Sequence, residues 1–170
     1  AVVLDKTGTV TAGRPTVTSV TVLPGFQEDE IFALAAGLEA GSEHPLAQAI
    51  LAAARDRGLN IPSVERFEAI AGHGASGTVD GKVVLAGNRR LLETHGIDTT
   101  LLQAEAERLA TQGQTPVFVA VDSRPAGIVA VADPIKPDSA AAIRRLRELG
   151  LNVVLLTGDH TATARAIAAQ

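Results

Sequence analysis

Ala1-Val2-Val3-Leu4-Asp5-Lys6-Thr7-Gly8-Thr9 opens the chain with an apolar run that stops abruptly at a carboxylate and a small polar turn. A short apolar run bounded by turn formers reads as a buried strand, and open α/β sheets place their ligand crevice where such strands surface. Aspartate side chains are ionised at neutral pH, so an Asp at that point can attack phosphorus without a general base. Asp, Gly and Thr are also ordinary turn residues. The whole string, set directly after a strand, favours the chemical reading of Asp5 over a solvated turn.

The bulk composition bounds what surrounds this junction. At 170 residues the chain can bury a real core as one domain or two small ones, and 46% hydrophobic with 20% charged residues is ordinary for a globular protein. Fifteen Lys and Arg against 19 Asp and Glu leave a net charge of -4, with 2% aromatic residues and no basic block, so nucleic acid is not an expected partner. Without cysteine the chain forms neither disulfides nor a thiolate metal site. No apolar run approaches the roughly 20 residues that span a bilayer. The chain starts at Ala and contains no Met, and we expect it to begin inside a longer protein.

Working outward from the first strand, Thr16 to Leu23 partly alternates and is predicted as a half-buried strand ended by Pro24-Gly25. Glu28 to Ala40 and Pro45 to Gly58 are predicted helices, the second with Pro at its start and Gly at its end. Strands are predicted at Arg66 to Ile70, Ala75 to Val79 and Lys82 to Ala86, with Asp80-Gly81 as a two-residue hairpin turn. Helices at Arg89 to Thr94 and Thr100 to Gln112 follow, then strands Pro116 to Val121 and Ala126 to Ala132 about a turn at Asp122-Ser123-Arg124-Pro125.

At Asp133-Pro134-Ile135-Lys136-Pro137 the hairpin pattern stops. Ser139 to Leu149 is an amphipathic helix capped by Gly150, Asn152 to Leu156 reads as a buried strand ending in Thr157-Gly158-Asp159, and Thr161 to Ala169 is helical. The two ends share one architecture and the middle has another. The expected fold class is therefore α/β, a partial Rossmann-like domain interrupted by an inserted α+β domain with an antiparallel sheet flanked by helices. Its expected segments are residues 1–14, 15–132 and 133–170.

If strands 1–4 and 153–156 are neighbours in a sheet, Asp5 and Thr157 emerge at one edge. The Thr157 hydroxyl and the Gly158 N–H can then hold a phosphoryl oxygen, assisted by the N-terminus of the next helix. Asp159 reads equally well as the N-cap of that helix.

Here the residues carry a resemblance. Asp5-Lys6-Thr7-Gly8-Thr9 resembles the phosphorylation motif of P-type ATPases, and Thr157-Gly158-Asp159 resembles their second phosphate-holding motif. The resemblance implies that Asp5 accepts the γ-phosphoryl of ATP, that Lys6 neutralises charge, and that Mg²⁺ is held by Asp5 with the Thr7 carbonyl. Phosphatases of the same haloacid dehalogenase superfamily usually carry a second Asp two residues after the nucleophile, as acid and base for hydrolysing the aspartyl phosphate. This chain has Thr7 there, and a hydroxyl cannot do that work at neutral pH.

A second string, Ser42-Glu43-His44-Pro45-Leu46, is followed by Gly72-His73-Gly74 and by Gly87-Asn88. Taken singly, His44 reads as a surface or capping residue, the glycines as a bulge, Asn88 as a helix cap, Glu43 as a solvated charge and His73 as a surface residue without a partner. Together they resemble the nucleotide-binding domain of heavy-metal (P1B) ATPases. That resemblance implies that Glu39 and His44 contact adenine, that Gly72 and Gly74 let the backbone approach the nucleotide, and that Gly87 and Asn88 complete the pocket.

The implied cofactors are ATP and Mg²⁺. The implied partners are the transmembrane and actuator domains of the same polypeptide, with the transported ion bound outside this chain. The implied location is the cytoplasmic face of a membrane protein. Local similarity around Gly113-Gln114-Thr115-Pro116 and Ala132-Asp133-Pro134 leans towards copper(I) or silver(I). Two departures stand out: the later Gly-Asp-Gly-x-x-Asn-Asp motif is absent from the chain, and His160 stands where many members have Asn. The competing expectation is a free-standing phosphatase whose insert is a substrate cap.

Overall fold

The structure is a computed structural model that describes residues 1–157 and 161–169. Gly158 and Asp159, both expected at the site, and His160 lie outside the described residues. In chain order the elements begin with β1 (Val2–Asp5), β2 (Thr16–Val22), α1 (Glu28–Glu39) and α2 (Pro45–Asp56). They continue with β3 (Val64–Ile70), β4 (Gly74–Val79), β5 (Lys82–Gly87), α3 (Arg89–Thr94) and α4 (Thr100–Thr111). The last are β6 (Thr115–Val121), β7 (Arg124–Ala132), α5 (Ser139–Glu148), β8 (Val153–Leu156) and α6 (Thr161–Ala169). No helix among the described residues is long and apolar enough to cross a membrane.

Two sheets organise these elements, as expected for an α/β chain with an α+β middle. β1 and β8 pair in parallel, while the other strands form an antiparallel sheet in the order β2-β7-β6-β5-β4-β3. The large sheet is covered on both faces, and β6 shows how. Val117, Val119 and Val121 pack into a core with Ile31, Phe32 and Leu38 of α1 and Ile50 of α2. The alternate residues Phe118 and Ala120 pack with Leu91 and Leu92 of α3 and Leu102 and Leu109 of α4. Alternation sends successive side chains into opposite layers, so a strand that is apolar throughout is what a sheet between two helical layers needs. Each fully buried Leu or Ile contributes about 1.5–3 kcal/mol of transfer free energy.

The hairpin at Asp80-Gly81 forms as expected, with φ of 51° and 73°. The second hairpin is tighter than expected. Asp122 and Ser123 alone make the turn, with φ of 48° and 61°, and β7 already begins at Arg124. Pro125 therefore lies inside a strand, at the point where the register slips between Val119 and Ala120. A proline is tolerated at such a bulge, and β2 ends its pairing at Gly127, so no neighbour on that side needs the missing N–H.

The small sheet departs from its reading as buried strands. Leu4, Val153 and Leu155 face a hollow closed by Val10 and Ile143, but Val3, Val154 and Leu156 are 60%, 50% and 61% exposed. Among the described residues, α5 is packed on this sheet at one face only, which leaves the alternate side chains uncovered.

Candidate nucleotide and phosphoryl site

The parallel register of β1 and β8 puts Asp5 opposite Leu156, so Asp5 and the following Thr157 leave the sheet at one edge. Asp5 is exposed, Lys6 beside it is 8% exposed, and Thr7 returns to the surface. The turn closes when the Thr11 N–H donates to the Lys6 carbonyl at 2.9 Å, and Gly8 sits at its bend with φ 78°. Only glycine adopts that left-handed conformation without strain.

Both crossings between the small sheet and the rest are laced together. The Asp133 carboxylate accepts from the Thr11 hydroxyl at 2.6 Å and from the Arg14 N–H at 3.0 Å. Ala12 N–H donates to the Pro134 carbonyl at 2.8 Å and Lys136 N–H to the Val10 carbonyl at 3.0 Å. These bonds fix where the Asp5 turn lies relative to the large sheet.

In the insert, Glu39 is the buried last residue of α1. His44 is the N-cap of α2, and its Nδ1 accepts from the Leu46 N–H at 3.2 Å. That acceptance leaves the ring hydrogen on Nε2, which is the donor available to a ligand. Pro45 at the first helical position has no N–H to satisfy, which suits it to follow the cap.

The Gly72–Asn88 corner is built by close backbone contact. A Cβ on Gly74 would lie 2.2 Å from the Ala86 carbonyl oxygen, and one on Gly87 would lie 2.1 Å from the His73 carbonyl oxygen. Gly74 and Gly87 are thus required by each other's strands, whatever else they serve. Gly72 is different: it has φ 72° and open space around it. Asn88 is the N-cap of α3, accepting from the Leu91 N–H at 3.0 Å, and its Nδ2 donates to the Gly72 carbonyl at 2.9 Å. Its amide is a latch between the glycine loop and the helix.

A cleft of about 1050 Å³ joins these parts. Lys6, Thr7 and Thr157 line it from one side, and Glu39, His44, Gly72, Gly74, Gly87 and Asn88 from the other. Asp5 is not on its lining. Drug-sized ligand sites run to about 1,000 Å³, so the cleft is large enough for a ligand of that size. Sequence reasoning passed over Arg89 and Arg90, which also line the cleft, and misplaced His73. His73 is half-buried on the cleft wall with its Nδ1 2.9 Å from the Ala71 carbonyl oxygen, rather than a surface residue without a partner. Its position between two glycines at a strand end was the available signal. Glu43 is exposed, as read.

Burial pushes the Glu39 carboxyl from about 4.5 up to about 7, because removal from water disfavours the charged form. Among the described residues no hydrogen bond or ion pair offsets that cost. The folded state therefore holds a proton that the unfolded chain has released between these two values. The resulting stability is present in full below pH 4.5 and is lost as pH rises through about 7. Relative to Glu39→Gln, the wild-type chain is expected to lose on the order of 2–3 kcal/mol between pH 5 and pH 8. Urea unfolding of both proteins at the two pH values measures this, and parallel pH profiles would contradict it.

Among the described residues no three His, Asp or Glu side chains gather into a metal site. Mg²⁺ does not require one, since it binds through one or two carboxylates completed by substrate phosphates and water. The exposed carboxylate of Asp5, two residues before Thr7, fits the carboxylate part of that donor set.

A family model described as haloacid dehalogenase-like hydrolase matches residues 1–170. Copper-transporting ATPase 2 of Rhizobium meliloti (strain 1021) is 49% identical over 167 residues, which is 98% of this chain and 20% of that protein. The chain thus spans about a fifth of the length of the curated relatives it matches. Among solved structures, a zinc-transporting PIB-type ATPase in the E2.Pi state is 38% identical with a TM-score of 0.72, covering 98% of this chain and 27% of that one. The N-domain of HMA6, a copper-transporting P-type ATPase, is 30% identical with a TM-score of 0.58, covering 69% of this chain and 98% of that one.

Proposed function

Since this chain belongs to the haloacid dehalogenase-like hydrolase family, we propose that it is the ATP-handling portion of a heavy-metal P-type ATPase, with copper(I) as the cargo. Residues 15–132 form the nucleotide-binding unit, and residues 1–14 and 133–170 contribute to the phosphorylation unit. The transmembrane and actuator parts of the same polypeptide complete the transporter, and this portion faces the cytoplasm. The identity to a protein named as copper-transporting supports the cargo.

The observation that carries the reading is the single cleft shared by the Lys6, Thr7 and Thr157 edge and the Glu39 and His44 pocket. Glu39 and His44 hold adenine, and the Asn88 latch keeps the Gly72 loop open beside it. Asp5 attacks the γ-phosphorus in line: the new bond joins its carboxylate oxygen to phosphorus, the bond to the β–γ bridging oxygen breaks, and ADP leaves. Lys6 offsets charge beside that turn. Mg²⁺, held by Asp5 and the Thr7 carbonyl, supplies neutralisation of phosphate charge when bound. Thr7 offers no acid or base for hydrolysis, which favours a lasting phosphoenzyme over a phosphatase cycle.

Titrating ATP into the isotopically labelled chain is expected to shift backbone signals at Glu39, His44, Gly72, Gly74 and Asn88. Shifts clustered elsewhere would defeat the pocket assignment. His44→Gln is expected to weaken ATP binding about tenfold, the loss of one well-placed donor. It removes a helix cap as well, at a cost of about 0.5–2 kcal/mol, which a folded domain tolerates. An unchanged affinity by calorimetry would reduce His44 to its capping role.

A further inference from the structure

Three permanent cations line the cleft: Lys6, Arg89 and Arg90. Arg89 has a partner on its own helix, its Nε donating to Glu93 Oε1. Lys6 is buried in the turn after Asp5 and has interactions of its own. Arg90 is exposed on the cleft wall, and among the described residues its guanidinium makes no hydrogen bond or ion pair.

The carboxylates of the same lining do not claim it. Asp133 accepts from Thr11 and Arg14, Glu107 accepts from Gln103 at 3.0 Å, Glu93 holds Arg89, and Glu39 is buried. Glu93, Glu107 and Asp133, together with the buried Glu39, offset the cations of the lining, which suits a triphosphate only where a cation is left over to meet it.

The backbone of Arg90 is also fixed in advance. Asn88, two residues earlier, ties the start of α3 to the Gly72 carbonyl, and Leu91, one residue later, is fully buried. Only side-chain freedom remains to be lost on binding, and a guanidinium presents paired donors that match phosphate oxygens.

We propose that Arg90 receives the phosphate chain of the bound nucleotide, so that it sets the preference of the cleft for ATP over AMP and adenosine. This rests on the nucleotide reading above. Its bland competitor is a solvated surface arginine, which would leave that preference untouched.

The test is calorimetric titration of ATP, ADP, AMP and adenosine into the wild-type chain, Arg90→Ala and Arg90→Lys at two salt concentrations. Arg90→Ala is expected to weaken ATP about tenfold, leave adenosine unchanged, and flatten the salt dependence of ATP binding. Arg90→Lys restores the charge without the paired donors and recovers part of the loss. An unchanged ATP-to-adenosine ratio in a folded Arg90→Ala overturns the Arg90 assignment while ATP binding by the wild-type chain stands. Absence of ATP binding by the wild-type chain overturns the nucleotide reading and this proposal with it.

Discussion

On the proposed function, Asp5→Asn is expected to abolish the acid-stable phosphoenzyme that the wild-type sequence, joined to the transmembrane and actuator parts proposed above, forms from radiolabelled ATP. Asp5 is the exposed end of β1, one residue from the buried Lys6 and at the same sheet edge as Thr157. An amide at that position fits the same space but lacks the anionic oxygen that must bond to phosphorus. Loss of a covalent nucleophile costs at least about 10³-fold in rate, so the label should fall below detection. Nucleotide binding should survive, because Asp5 does not line the cleft. Label retained in Asp5→Asn would refute the assignment; loss of ATP binding in the isolated variant would show that the two halves of the site are less separable than the cleft lining indicates.

Gly87→Val is expected to be strongly destabilising, more so than a change at Gly72. Even a Cβ there meets the His73 carbonyl oxygen at 2.1 Å, the Gly74 Cα at 2.8 Å and the Leu91 side chain at 2.8 Å. Two of those three contacts are backbone, so β4 and β5 must separate or the side chain must push α3 off the sheet. Overpacking of this kind costs about 3 kcal/mol. For a chain of this size that lowers the melting temperature by roughly 6–12 °C. ATP binding should fail too, since the same displacement moves the Gly72 loop and its Asn88 latch. Gly72→Ala is the comparison: the space there is open, and only the positive φ opposes a side chain, at about 1–2 kcal/mol. Equal melting temperatures for the two variants would remove the close-contact explanation.

Local signals were legible wherever one residue's chemistry was sufficient. Pro45 after His44 marked the start of α2, Asp80-Gly81 marked a hairpin, and the break at Asp133-Pro134 marked the return crossing. Asn88 read as a helix cap because its capping partner Leu91 is three residues away. Its second partner, Gly72, is 16 residues away, and no local pattern reports a bond of that span. The turn at Asp122-Ser123 was misread for a related reason. Pro125 normally argues against a central strand, and only the slipped register with Ala120 makes it admissible.

The sequence by itself determined where the carboxylate of the proposed nucleophile stands, that Thr7 takes the place of a second carboxylate, and which residue types make up the proposed nucleotide pocket. Those follow from the chemistry of single side chains at the ends of elements whose periodicity is short-range. Tertiary structure alone decided that Lys6, Thr7 and Thr157 share one cleft with Glu39 and His44, and that Gly74 and Gly87 exist for each other's backbone. It also decided that burial raises the Glu39 carboxyl to about 7 and that, among the described residues, Arg90 is left without a partner while Arg89 is not. Burial, contact and charge pairing depend on residues far apart in the chain, which only the packed fold brings within reach of one another.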